Sequence, residues 1–274
     1  AVMARILSWK STLISPGGRI VLIKHGLASI PVHLLSATVC PASVFKRIEQ
    51  ICANFLWGTS GEGMKFHWIR WSHLCHPIEK GGVGFRNLQD MYSAFSCKLW
   101  WNFRTGKSLW GEFMQAKYCR GLHPCQVEMK RLDSGTWRRI LNISRQVELS
   151  MLWVVKAGSC SFWYDNWLGN GALYLKTTAR PDLNFNDFIT NGEWDVGLVN
   201  QYIPHELISL ILQYPVPEGD GCDEVVWRPT ASKRFTVASA FKEVRQARNY
   251  SMIHSLVWHP QIPVTVSFFM LRLL

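Results

Sequence analysis

Acidic side chains are scarce in this chain. Over 274 residues, 19 Asp and Glu stand against 30 Lys and Arg, and the formal net charge is +11. That imbalance points to an anionic partner, nucleic acid or a membrane surface. Paired cysteines are lacking too. None of Cys40, Cys52, Cys75, Cys97, Cys119, Cys125, Cys160 and Cys222 forms a C-x-x-C pair, and no secretory signal is recognisable. A disulfide-stapled mini-protein is thereby excluded, and scattered free thiols in a reducing compartment, cytoplasmic or nuclear, are expected. No run is apolar enough to span a bilayer, which takes about 20 predominantly apolar residues. Residues 26–45 contain no Lys, Arg, Asp or Glu, yet Pro31, Pro41, His33, Ser29, Ser36, Thr38 and Ser43 interrupt them. Catalytic signatures are missing as well: no G-x-x-x-x-G-K-(S/T), no H-E-x-x-H, no G-x-S-x-G, and no spacing that singles out a nucleophile and its base.

What is present is tryptophan and a lopsided charge. The 14 Trp far exceed ordinary usage; their size means that most must be partly buried, as spacers or as platforms for bases. Residues 1–137 hold 17 Lys/Arg and 7 Asp/Glu, a balance of +10, whereas residues 138–274 hold 13 and 12, a balance of +1. Two groups imitate zinc ligands: His67, His73, Cys75 and His76, and Cys119, His123 and Cys125. Neither has the paired spacing of a structural zinc site, so neither a metal nor any cofactor is expected.

The stretch 9–58 organises the chain. Ser15 caps a helix opened by Pro16, and the pattern Ile20, Ile23, Leu27 gives it an apolar face. Pro31 stops it. Pro41 opens a second helix with the stripe Val44, Phe45, Ile48, Ile51, Cys52, Phe55 and Leu56, closed by Gly58. Lys46, Arg47 and Glu49 fall off the stripe. A buried stripe with a basic edge suits a phosphate backbone; the same pattern also describes a solvated face on an ordinary core helix.

The order W-K-x-x-x-(I/L)-S-x-G-G-R-x-x-L-I-K, then S-I-P, then a proline-started helix ending F-L-W-G, resembles plant non-LTR (LINE-type) retrotransposon polyproteins just after the reverse-transcriptase palm. HWIRWSHLCHPIEKGGVGFRNLQ, LWGEFMQAKY, SGTWRRIL, FWYDNWLG and VVWRPTASKRFTVASAF follow in that family's order, and VWHPQIPVTVSFFMLRLL resembles the opening of its zinc-binding domain. The resemblance covers nearly the whole chain. It implies a thumb-like segment at 1–58, a basic Trp-rich connection at 59–150, a hairpin and acidic loop-rich segment at 151–226, and the truncated start of a zinc-binding-domain-like region at 227–274. It implies RNA or an RNA–DNA hybrid as partner, beside the palm and downstream domains of the parent polyprotein. The family's Y-x-D-D-type carboxylates and its zinc-ligand Cys and His do not occur here, so neither polymerase chemistry nor zinc binding carries over.

The remaining residues complete the expectation. The pattern over 87–118 is helical: Met91, Ala94, Phe95, Leu99 and Trp100 share a face, and Leu109, Trp110, Phe113 and Met114 continue in a second helix. A short helix begins at Trp137 with Arg138 and Arg139 exposed. Alternation of Leu152, Val154, Cys160, Phe162 and Tyr164 about Ala157-Gly158-Ser159 predicts a β-hairpin, with Asp165 capping a turn at its exit. Residues 165–224 carry ten Asp/Glu against Lys176 and Arg180, which disfavours phosphate. Phe235-Thr236-Val237 reads as a short strand before a helix to Ala247, and 264–269 as a final strand. The fold class is α+β, predominantly helical, with a helical N-terminal half and a β-hairpin and mixed α/β C-terminal half. The function expected is non-catalytic: holding RNA or an RNA–DNA duplex by phosphate contacts through Lys10, Arg19, Lys24, Lys46 and Arg47. A degenerate element remnant, or a host interaction module with no nucleic-acid role, is the alternative.

Overall fold

Three prolines set the first helices. Ser15 accepts from the Gly18 N–H at 3.2 Å, and Pro16 takes the first position of α1 (Pro16–Leu22), which widens into a π-type turn over Ile23–Leu27. Proline's missing N–H is harmless there, because a first-turn N–H has no intrahelical partner. Pro31 precedes α2 (Val32–Ala37), and Pro41 precedes α3 (Ala42–Leu56). Gly58, at φ +79°, ends α3 in a left-handed conformation that glycine adopts without strain. The computed structural model describes residues 14–27, 29, 31–58, 67–106, 108–177, 183–217, 221–245, 252–259 and 261–273.

The chain divides into two compact units, Ala1–Phe95 with Val244–Leu274, and Ser96–Glu243. In the first, the C-terminal part of the buried stripe of α3 (Cys52, Phe55, Leu56) meets Ile20, Ile23 and Leu27, together with Ile69, Leu74, Val83 and Phe85. Leu35, Phe45 and Leu88 form a second cluster with Tyr92 and Phe95 around them. The final segment joins this unit as a helix, Val264–Leu273, and not as the strand expected from its β-branched run. Packing decides the matter: Phe268 is buried with its ring 4.9 Å from Trp57 and 5.4 Å from Trp258. Tertiary burial of this kind overrides intrinsic strand propensity.

In the second unit, α7 (Gly135–Ser150) is capped by Ser134, which accepts from the Trp137 N–H. It lies in chain order after α4 (Trp71–Leu74), α5 (Leu88–Thr105) and α6 (Leu109–Met114). At 16 residues α7 is longer than expected, and Arg139 is buried, not exposed; its Nε donates to Ser96 Oγ at 2.8 Å. Arg138 is exposed as expected. Beyond α7 an aromatic core forms. The Phe162 ring stacks on Phe188 at 4.2 Å, and Trp167 lies against Phe185, Trp194 and Tyr214.

The expected hairpin about Gly158 does not form. β1 (Met151–Val154) pairs instead with β4 (Glu224–Trp227), antiparallel, in the register Met151↔Trp227 to Val154↔Glu224. Residues 156–160 cannot ladder because their N–H groups point at one carboxylate: Asp223 accepts from the backbones of Lys156, Ala157, Gly158 and Cys160 and from the Ser159 hydroxyl. A true two-residue hairpin lies elsewhere, β2 (Ile189–Thr190) with β3 (Glu193–Trp194) about Asn191-Gly192. Both turn residues have positive φ, +54° and +80°, as the primed hairpin turns require. The expected strand at Phe235 is irregular chain; Thr236 and Ser239 exchange hydrogen bonds at the start of a helix over Val237–Val244. A further helix, His205–Gln213, follows Pro204. The fold is α+β and predominantly helical, with two short antiparallel sheets among the described residues.

Candidate nucleic-acid interface

The long amphipathic helix α3 places its charges by period. Its stripe faces the core, so Lys46 and Arg47 lie on the exposed side, in the first turn and a half. Arg47 Nη1 donates to Gln50 Oε1 at 3.0 Å, one turn on. The ion pairs among the described residues involve neither cation. Glu49, on the same helix, is half-buried. Burial, and then the nearby Asp90, push its carboxyl above the ordinary value.

The other expected cations are placed differently. Lys10 lies outside the described residues. Arg19 turns inward: Nε donates to the Ile14 carbonyl at 3.1 Å and Nη1 to the Leu56 carbonyl at 3.3 Å. A guanidinium at the last carbonyls of α3 complements the negative end of its dipole. It also packs across Gly58, where any Cβ would collide with it. Lys24 is partly buried beside Gly84, and desolvation lowers its pKa. Ten residues separate Lys46 from Leu56 along α3, so Arg19 sits about 15 Å away at the other end of the helix axis. The structure therefore groups Lys46 with Arg47, and places Arg19 and Lys24 elsewhere on the unit.

The second unit contains a charge cluster that local sequence patterns did not reveal. Arg104 Nε donates to Glu148 Oε1 at 2.7 Å, and its Nη2 pairs with Asp165 Oδ1. The same Glu148 oxygen accepts from the Trp100 indole N–H at 2.7 Å, while the Arg104 guanidinium lies over the Trp153 ring at 5.1 Å. Asp165 accepts from the Ser161 N–H at 2.7 Å, which is the expected turn-capping role. Burial pushes the Asp165 carboxyl up, but Arg104 and His123 outweigh it and hold it below its ordinary value.

His123 completes the cluster and is fully committed. The Cys125 N–H donates to Nδ1 at 3.2 Å, so Nε2 carries the hydrogen that bonds Asp165 at 3.2 Å. With both nitrogens engaged, this imidazole has no lone pair to act as a base. The cluster borders a cleft of about 1370 Å³ lined by Arg104, His123, Trp153, Ser159, Tyr164 and Asp165. Its single guanidinium is neutralised twice over, which leaves the cleft unsuited to phosphate. The acidic side chains of the following segment serve as caps: Asp187 accepts from the Asn184 N–H at 2.6 Å, and Asp195 from the Leu198 N–H at 3.0 Å.

His67 pairs with Asn54 Oδ1 at 2.7 Å, the Cys75 carbonyl accepts from Arg245, and His123 is held as described. Among the described residues no three His, Cys, Asp or Glu form a group that could hold a metal ion. The cysteines form no disulfides. Burial pushes the thiols of Cys52 and Cys97 up to about 12, so they stay protonated. Among the described residues no helix is long and apolar enough to cross a membrane.

No family model matches the chain, and no solved structure matches it. Over 98% of its length it is 29% identical to an Arabidopsis thaliana protein named "Putative ribonuclease H protein". The chain covers 46% of that protein, and so spans about half the length of the curated relative it matches.

Proposed function

We propose that the chain is the thumb and connection portion of a plant retroelement reverse transcriptase, and that it holds RNA or an RNA–DNA duplex without itself making or breaking bonds. One observation carries the binding half of this reading. Lys46 and Arg47 stand exposed on the first turns of the longest helix of the first unit, clear of any ion pair among the described residues. Adjacent cations on a rigid, amphipathic helix present fixed points to successive phosphates. Of the other cations expected from the sequence, Arg19 is turned inward and Lys24 is partly buried, so Lys46 and Arg47 carry the proposal. The similarity to a plant protein named for ribonuclease H supports a partner of the RNA–DNA class. The relative's name describes a protein more than twice as long, so hydrolysis is not carried over from it. The motifs read from the sequence support a retroelement origin, and the absence of a palm-type carboxylate pair supports the non-catalytic assignment.

The test is a salt titration of binding to an RNA–DNA duplex. On B-form DNA each neutralised phosphate contributes about 0.9 to the slope of log affinity against log salt, and a hybrid duplex should behave comparably. K46Q/R47Q is expected to lower the slope by nearly two and weaken binding at every salt concentration. An unchanged slope would remove these residues from the interface. A primer-extension assay in which the purified chain incorporates nucleotides would overturn the non-catalytic assignment.

A further inference from the structure

A second concave surface, far from Lys46 and Arg47 in sequence, carries an unneutralised positive charge. α6 runs on through a π-type turn, Gln115–Cys119, and stops at Arg120, whose φ of +50° is the left-handed conformation that ends a helix. This end, the turn over 130–133 and the start of α7 enclose a pocket of about 470 Å³. Lys117, Arg120, Lys130 and Arg131 line it, and all four are exposed. The carboxylates on its wall are Glu128 and Asp133. Asp133 is already engaged, closing the turn by accepting from the Lys130 N–H at 2.7 Å. The ion pairs among the described residues include none of these six side chains. Two positive charges therefore remain over.

The floor is aromatic and rigid. Tyr118 stacks on the fully buried Trp137, with centroids 4.6 Å apart and planes at 6°, and its hydroxyl donates to Ser134 Oγ at 2.8 Å. The Lys117 ammonium lies over the rings of Tyr118 and Phe113, at 5.3 and 5.4 Å. Phe113 is 58% exposed, although its spacing on α6 matches that of a core residue. An exposed ring beside uncompensated cations is the combination that holds a strand by stacking one base and neutralising the adjoining phosphates.

We propose that this pocket binds a nucleotide unit of an unpaired nucleic-acid strand. Arg120 and Arg131 would take the phosphate oxygens inside it, and Phe113, outside the lining but in contact with Lys117, would stack the base at its edge. The volume decides for a single strand. A pocket of this size encloses a ligand of roughly drug dimensions, and a duplex, with its bases paired inward, offers neither a free base face nor a narrow enough profile. The proposal stands on its own residues and is independent of Lys46 and Arg47.

The experiment is anisotropy of a fluorescein-labelled single-stranded oligoribonucleotide titrated with the full chain across a salt series. R120Q/R131Q is expected to lower the salt slope by about 1.4, at about 0.7 per phosphate on a single strand. F113A is expected to weaken binding roughly tenfold at fixed salt with the slope kept, as loss of one stacked base predicts. K46Q/R47Q serves as the reference for the other surface, and thermal melts matching the unmodified chain establish that each variant is folded. An unchanged slope in a folded R120Q/R131Q chain overturns the proposal, whatever K46Q/R47Q does. So does F113A binding at full strength, or displacement of the strand by polyglutamate at equal charge concentration, which would mark the pocket as a site for an acidic protein segment.

Discussion

The two units treat charge in opposite ways. The first holds 13 Lys/Arg and 4 Asp/Glu, a balance of +9; the second holds 17 and 15, a balance of +2. In the first unit carboxylates are few and poorly placed: Glu49 and Asp90 are both half-buried and both raised, chiefly by desolvation. In the second they act as acceptors that hold the chain together, at Asp165, Asp187, Asp195 and Asp223. Net charge alone hides this. A unit near neutrality can still contain a positive pocket when its carboxylates are engaged elsewhere, and a strongly basic unit can turn some of its cations inward, as Arg19 shows.

The largest effect should come from removing a cation buried in the second unit. Arg104 is 8% exposed at the side chain and bridges Glu148 and Asp165. R104A takes the guanidinium from two buried carboxylates, and loss of one partner of a buried ion pair costs about 3–5 kcal/mol. Chemical denaturation should show a transition shifted by that amount, with hydrogen exchange accelerated in the second unit. If R104A melts with the unmodified chain, the carboxylates of this unit are not structural and the contrast between the units fails.

Sequence patterns revealed the elements but not this cluster. α3 was legible because period, Pro41 and Gly58 agree on one helix. Apolar alternation about Gly158 imitates a hairpin, although Asn191-Gly192, a far stronger turn signal, lies 33 residues on. Arg104 is 44 residues from Glu148 and 61 from Asp165, and no local pattern connects them. Val264, Val266, Phe268 and Phe269 suit a strand by propensity, and the packing of Phe268 against Trp57 and Trp258 is a contact that no local pattern shows. Lys117 and Arg120 flank Tyr118 and Cys119 in the sequence, but nothing local brings them together with Lys130 and Arg131; that takes the helix end at Arg120 and the turn over 130–133.

A smaller effect is expected at Asp223, and its pH dependence fixes the sign. Burial raises its pKa, but the backbone N–H donors of residues 156–160 and the Ser159 hydroxyl more than offset this and bring it from 3.8 down to about 2. A depressed carboxylate contributes stability above its unfolded pKa and loses it as pH falls through the folded one. The unmodified chain should therefore lose stability between about pH 4 and pH 2. The site is largely open to solvent, and screening reduces the contribution to about 1 kcal/mol. D223N should lack that loss across the same window and be less stable at neutral pH, read as melting temperature against pH. A D223N curve parallel to the unmodified one would mean that the loop closes without the carboxylate.

Glu49 offers the reverse case and the sharpest contrast. Its carboxyl is raised by burial and then by Asp90. Ionisation is therefore resisted by the folded state, and a penalty appears as pH rises past the unfolded value of 4.5. E49Q should raise the melting temperature at pH 7 and leave it unchanged at pH 3, where the side chain is neutral in both states. Glu49 is half exposed, so the gain should be only roughly a few tenths of a kcal/mol. The same substitution removes a negative charge two residues from Arg47, so binding to an RNA–DNA duplex should tighten at low salt and converge with the unmodified chain at high salt. Stability and affinity rising together would set Glu49 apart from Asp223, whose loss destabilises. If E49Q instead destabilises, the carboxylates of the first unit are as structural as those of the second, and its basic surface owes nothing to their scarcity.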